Sequence, residues 1–284
     1  MARAFLGMGL LGTNFVKALL EKGEQVQVWS RNPEKALLLE ASGAGVFASA
    51  AEAVKGADHI HLTLKDDASV DEVLVSAAAG LKSGAVIIDH TTTSAEGAIQ
   101  RTKEWKERGF RYLHAPVFMG PANARESSGY MLVSGDQEVI GRVTPLLEKM
   151  TGRLINLGLE EGKAAAMKLI GNCFLITFTA GLSDTLSLGK ALNVSAQDIG
   201  ALLDIWNPAQ TLPNRLLRLS SGDYSKPSWE LNMARKDTQL FISSVEQGSG
   251  ALAVIPAIAA EMDRWIAKGF GTSDWTVIAK DAAL

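Results

Sequence analysis

Cysteine is nearly missing from this sequence: Cys173 is the one in 284 residues. A single thiol excludes an intrachain disulfide and leaves no cysteine pair for a metal. The four histidines, His59, His61, His90 and His114, show no spacing suited to a zinc site. An excess of one charge is also missing. Lys and Arg total 28 against 31 Asp and Glu, a net charge of −3. Nucleic-acid-binding chains usually carry a basic face, so nucleic acid is not expected as a partner. No uninterrupted apolar run nears the roughly 20 residues of a membrane span. The opening MARAFLGMGLLG is broken by glycines before a signal-type apolar segment can build. These gaps lead us to expect a cytoplasmic protein with no membrane partner. Present instead are 47% hydrophobic residues and 27 glycines. The first is enough for a sizeable core in one large or two ordinary domains and excludes a disordered chain. The second implies many places where backbone turns or comes close to something.

The order of local patterns sharpens this. Strands are expected at residues 2–6, 25–30, 46–47, 59–64, 85–90 and 110–117. Helices are expected between them at 13–22, from Asn32-Pro33, at 50–56, 67–81 and 94–108. Strands alternating with helices of about ten residues imply a parallel, doubly wound α/β sheet with right-handed crossovers. Further strands at 130–135 and 153–158 flank a helix over 137–151. After Gly158 the pattern changes. Residues 160–190 hold no proline, and Met167, Ile170, Cys173, Phe174, Phe178 and Leu182 recur at helical spacing, which predicts one helix of about 30 residues. Helices are then expected from Ser195 to about Leu203, across PAQTLPNRLLRLSSG, at 229–247, from Pro256 to Lys268 and from Thr272 to Ala283. The expected domains are an α/β nucleotide-binding domain over 1–158 and an all-helical domain over 159–284, joined by the long helix.

Gly7-Met8-Gly9-Leu10-Leu11-Gly12 fits G-x-G-x-x-G between a strand and a helix. Gly7 permits the tight turn, Gly9 lets backbone approach a pyrophosphate, and Gly12 lets helix and strand pack closely. The helix N-terminus then offers free N–H groups to phosphate oxygens. An acid about 20 residues on would bind the ribose 2′-hydroxyl of NAD. Here that position reads Ser30-Arg31-Asn32. An arginine suits a 2′-phosphate, so NADP is the expected cofactor, the alternative being a solvated loop arginine.

Lys168 and Asn172 stand four residues apart on the long helix and share a face. A lysine in a partly dry cleft, its pKa lowered by burial, is suited to protonate a carbonyl oxygen while hydride reaches the carbon. Such a pair is also what the polar stripe of an ordinary helix looks like. Its neighbours Met167, Leu169 and Ile170 and the small Ala164–Ala166 place it in an apolar, close-packed stretch.

Taken together, these segments resemble the β-hydroxyacid dehydrogenase family over essentially the full length. That family includes 3-hydroxyisobutyrate dehydrogenases and glyoxylate or succinic semialdehyde reductases, with imine reductases as relatives. GMGLLGTNFVKALLEKG is similar to its nucleotide fingerprint and WSRNPEKA to its NADP-type second segment. LTLKDDASVDEVL and IIDHTTTS are similar to loops that touch the cofactor, which places Leu64, Lys65 and Thr92 there. GLEEGKAAAMKLIGNCF is similar to the catalytic segment, so the resemblance assigns general acid/base work to Lys168 with Asn172 as its partner. MARKDTQL is similar to a C-terminal motif that closes over the cofactor, implying Lys236 for cofactor and Asp237 for substrate. The resemblance also implies a Rossmann domain followed by a helical domain, a small-molecule substrate such as a semialdehyde or keto acid, and a homodimer or homotetramer.

One motif departs. The family's substrate loop runs Asp-Ala-Pro-Val-Ser-Gly-Gly, whereas this chain reads His114-Ala115-Pro116-Val117-Phe118-Met119-Gly120. Phe118, Met119 and Gly120 remain the implied substrate contacts, but Phe118 has no hydroxyl for a carboxylate. Three functions follow for comparison. The leading one is an NADP-dependent reductase acting at CH–OH or C=O through Lys168. The second is an imine reductase, whose iminium substrate arrives already protonated. The third is a regulator that binds NADPH without chemistry.

Overall fold

The computed structural model describes residues 2–282. The chain divides into two compact units, one ending at Asn172 and one beginning at Cys173.

In the first unit β1 (Arg3–Leu6), α1 (Leu10–Glu21), β2 (Val26–Trp29), α2 (Pro33–Leu37), β3 (Gly45–Val46) and α3 (Ala50–Ala53) come first. They are followed by β4 (His59–Leu62), α4 (Asp67–Ala77), β5 (Val86–Asp89), α5 (Ala95–Glu107) and β6 (Arg111–His114). The six strands form one parallel sheet in the order β3-β2-β1-β4-β5-β6. Successive strand residues feed opposite faces, as the period of two requires. Phe5, Val28 and Ile88 enter one core, and Ala4, Leu6, Ile60, Leu62 and Ile87 the other. A sheet buried on both faces explains why its strands read as nearly continuous apolar runs. The chain leaves β1 toward β2 on one side and reaches β4 on the other. Beyond the carboxyl ends of such neighbours a doubly wound sheet opens its binding crevice.

The strand expected at 110–117 is two strands in two sheets. Pro116 has no N–H to continue a ladder, and after β6 the chain turns into β7 (Val117–Phe118). With β8 (Tyr130–Val133) and β9 (Arg153–Asn156), β7 forms a second sheet, antiparallel at β7-β8 and parallel at β8-β9. Between β7 and β8 lies a helix that sequence reasoning missed, α6 (Pro121–Glu126), with Pro121 in its first turn. The helix α7 (Gln137–Leu147) joins β8 to β9.

The long helix α8 (Lys163–Ala191) has 29 residues. An 18-residue window of it has a mean hydropathy of 1.5 and is 11% buried, so by length and composition it could cross a membrane. This corrects the expectation that no stretch comes near a span. Asn172, Thr177 and Thr179 interrupt the apolar run in sequence without lowering its mean enough to matter.

The second unit continues α8 with α9 (Ala196–Ile205), α10 (Leu212–Ser221), α11 (Leu231–Gln247) and α12 (Ile255–Trp265). The segment expected as one helix across residues 208–222 is a 3₁₀ turn, Pro208–Thr211, followed by α10. The last expected helix is a 3₁₀ stretch over Trp275–Ala282, and Ala283 lies outside the described residues. Leu231, Ala234, Met262, Trp265 and Val277 make its core around Tyr224. Asp184 of α8 accepts the N–H groups of Ala253, Val254 and Ile255, so a buried carboxylate stands at the amino end of α12. Those bonds hold its carboxyl below the ordinary value against the opposing effect of burial.

Candidate active site

The glycine turn is held by its own backbone. Gly7 has φ +101°, and a side chain there or at Gly12 would overlap the Thr63 carbonyl or the Gly7 carbonyl. The Thr63 hydroxyl donates to the Gly7 oxygen at 2.7 Å, tying the turn to the end of β4. Gly9 faces open space. The helices α2, α3, α4, α5 and α7 are capped by the side chains of Asn32, Ser49, Asp66, Ser94 and Asp136. At α1, Gly9 offers no side-chain cap, and the first turn holds no acid. Its leading N–H groups therefore stay available to an anion, and Gly9 leaves room for one. That combination fits the pyrophosphate of a dinucleotide.

Two adjoining cavities follow from this turn. One, of 300 Å³, runs from Gly7, Met8 and Gly9 past Ser30, Arg31 and Asn32, with Lys35 beside them. The other, of 310 Å³, is lined by Gly9 to Gly12, Thr92, Met119 and Lys168. They share Gly9, Leu64 and Lys65, so the expected cofactor residues of the first unit lie along one groove. A larger cavity of 520 Å³, bordered by Lys106, Arg111, Glu138 and Glu161, holds none of the expected site residues. Arg31 is exposed and forms a 2.7 Å ion pair with the equally exposed Glu72.

Lys168 is 8% exposed. Its Nζ donates to Asn172 Oδ1 at 2.9 Å and stands 4.4 Å from the centre of the Phe118 ring. Burial pushes the amine below its ordinary value. No carboxylate forms an ion pair with it among the described residues. A partly dry ammonium with a neutral acceptor and an aromatic face, and no carboxylate paired with it, is able to give up a proton. Phe118 and Met119 sit half-buried at the end of β7, and the Gly120 N–H donates to Asn123 Oδ1 at 2.9 Å. Lys236 and Asp237 lie on α11 in the second unit, where they pair with each other at 3.0 Å.

The loop after β5 is fixed by a buried polar chain that sequence reasoning missed. The Thr91 N–H donates to Asp89 Oδ1, and the Tyr112 hydroxyl donates to Asp89 Oδ2 at 2.6 Å. Arg101 donates to the Tyr112 oxygen and to Asp67 and Asp71. Thr91 in turn accepts the Leu64 N–H at 3.0 Å. Both loops beside the groove are thus held to one network whose buried members all have partners. Its strand and helix positions, Asp89, Arg101 and Tyr112, carried no local signal. Among the described residues no cluster of three His, Cys, Asp or Glu could hold a metal.

Residues 3–158 match the NAD binding domain of 6-phosphogluconate dehydrogenase. A 3-sulfolactaldehyde reductase of Escherichia coli is 29% identical, over 98% of this chain and 94% of its own. An imine reductase from Pseudomonas sp. superposes with a TM-score of 0.89 at 22% identity, over 99% of each chain. A reductive aminase from Aspergillus terreus superposes with a TM-score of 0.88 at 23% identity, also over 99% of each.

Proposed function

Because the chain belongs to the hydroxyacid dehydrogenase family built on the NAD binding domain of 6-phosphogluconate dehydrogenase, we propose that it is an NADPH-dependent reductase of small carbonyl compounds. The observation that carries this is the buried Lys168, bonded to Asn172 in the cavity that starts at the glycine turn. Bound NADPH supplies a hydride to the carbonyl carbon. Lys168 holds a proton at Nζ and gives it to the carbonyl oxygen as the C–O double bond becomes single. Asn172 Oδ1, taking one ammonium N–H, fixes where the others point. The uncapped start of α1 would hold the pyrophosphate, with Leu64, Lys65 and Thr92 beside it. Lys236 and Asp237 are assigned to cofactor and substrate by resemblance. The carbonyl is the part of a semialdehyde or keto acid that this lysine explains.

The choice of NADPH rests on Arg31. Its pair with Glu72 is exposed and of little worth, and the guanidinium would be free to take a 2′-phosphate in its place. We expect NADPH to be preferred over NADH in cofactor oxidation with a panel of aldehydes, keto acids and cyclic imines. Arg31→Ala then weakens NADPH binding about 10- to 100-fold, the worth of a charge-assisted pair, and leaves NADH unchanged. Equal use of both cofactors by the unaltered protein would remove Arg31 from this role.

Homodimerisation, or a homotetramer built from such dimers, completes the proposal. The helices α9 and α10 bury none of their residues. Ile176, Ile205, Trp206, Leu216 and Leu217 are all more than 60% exposed. So much exposed apolar surface on the helices of the second unit marks an association site. Sedimentation without detergent is expected to give at least twice the 30.2 kDa of one chain. A monomer, or material that stays in solution only with detergent, would count against it.

A further inference from the structure

The ring of Phe118 does two things at once. Its face lies 4.4 Å from Lys168 Nζ, and it fills the space a side chain at residue 171 would need. Gly171 is one helical turn beyond Lys168, so α8 is relieved of a side chain where the ring rests. Beside it, the Gly120 N–H is already bonded to Asn123 Oδ1. The end of β7 and the residue after it therefore set a half-buried aromatic ring against Lys168 and the thioether of Met119 on the cavity wall, with the Gly120 amide occupied.

We infer that Phe118 is a specificity-determining residue which directs the site to aldehydes and ketones with an uncharged, apolar substituent and away from carboxylate-bearing ones. This rests on Lys168 as the proton donor. A carboxylate laid against Phe118 loses hydration and finds no hydroxyl in return, and the negative face of the ring repels it. The cation beside the ring is Lys168. A carboxylate that takes that ammonium keeps the carbonyl from its proton, so this binding is unproductive. An alkyl chain on the same surface loses no hydrogen bond and buries apolar area. The ring also stabilises the ammonium that it touches, where an anion is not needed to do so.

The test compares butanal with succinic semialdehyde, which share a carbon chain and differ in a terminal methyl or carboxylate. The unaltered protein is expected to favour butanal at least tenfold in kcat/KM, mostly through KM. Phe118→Ser is expected to cut that ratio at least tenfold. Asn123→Ala, which frees the Gly120 N–H, moves it the same way and guards against a variant that misfolds. A second readout needs no turnover: calorimetric binding of butanamide and succinamate to the protein saturated with NADP+. The same tenfold preference and the same shift are expected. If neither aldehyde is reduced, the reductase reading fails, and the calorimetric ratio alone decides the role of Phe118. Preference for the carboxylate in the unaltered protein overturns the inference. So does an unchanged ratio in both variants, or no binding of butanamide.

Discussion

Lys168→Met is expected to lower kcat/KM for aldehyde reduction by about 10²- to 10⁴-fold, the usual worth of a positioned general acid. Methionine keeps most of the length and packing of lysine and removes the ammonium, with its proton, its charge and its bond to Asn172. NADPH affinity, proposed to rest on the glycine turn and Arg31, should be unchanged in fluorescence titration. Lys168→Arg is expected to lose nearly as much, because guanidinium keeps the charge but does not release its proton in the working range. The pH dependence has a definite sign. In the proposed reaction Lys168 must be protonated to reduce, and burial lowers its pKa from the ordinary lysine value. Reduction therefore slows as pH rises through that lowered value, and the reverse oxidation quickens over the same range. Two other titratable groups line the cavity. His90 is neutral above about pH 4 and so does not supply this transition, and Lys65 stands 3.6 Å from Asp66. A cyclic iminium arrives protonated, so a Lys168→Met protein that still reduces imines while failing on aldehydes assigns the lysine to proton delivery. Full aldehyde turnover in that variant would remove Lys168 from the chemistry.

Features that depend on near neighbours in sequence were legible, and those made by distant neighbours were not. Gly7, Gly9 and Gly12 act within one turn, and Lys168 and Asn172 within one helical turn, so spacing alone carried their geometry. The alternation of strands and helices was likewise local and gave the parallel sheet. The contact of Phe118 with Lys168 spans fifty residues, and no periodicity registers it. Its one trace in sequence is Gly171, a glycine in the interior of a long helix, where it costs about 1 kcal/mol relative to alanine and so calls for a packing cause. The helix α6 was readable in principle, since Pro121 after Gly120 is a helix-start signal. It was lost because six residues show no apolar period. The break between β6 and β7 follows from Pro116. The partnership of His61 with His90 needs the register of β4 and β5, in which His61 faces Ile88.

That pair leads to the second large effect. Acidification from pH 7 to pH 5 is expected to cost the first unit about 2 kcal/mol through His90 alone, at 1.36 kcal/mol for each pH unit below the unfolded pKa. The tautomers follow from the partners. His90 Nδ1 lies 2.8 Å from the Ala115 oxygen, which only accepts, so Nδ1 carries the proton. His90 Nε2 is then bare and accepts from His61 Nδ1 at 2.9 Å. His61 Nε2 is left buried without a partner, as is His114 Nδ1, while His114 Nε2 donates to the Thr91 oxygen at 2.8 Å. Phe5 stacks on His61 at 5.2 Å, and His90 packs against both Phe5 and Phe15. A second proton on either has no water to meet. Burial pushes all three histidines down, His90 to about 4, with the neighbouring Asp89 opposing this at His90 and His114. The folded pKa values lie below the unfolded value, so the unfolded chain binds more protons between about pH 6.5 and 4, and stability falls as pH falls through that window. Above it both states are neutral and the effect vanishes. Proton uptake on urea unfolding at pH 5.5, measured in weak buffer, should exceed that of the His61→Phe variant by about one proton, since phenylalanine keeps the stack and cannot titrate. Equal uptake would mean that His61 is already charged in the fold, which its buried, unpartnered Nε2 forbids.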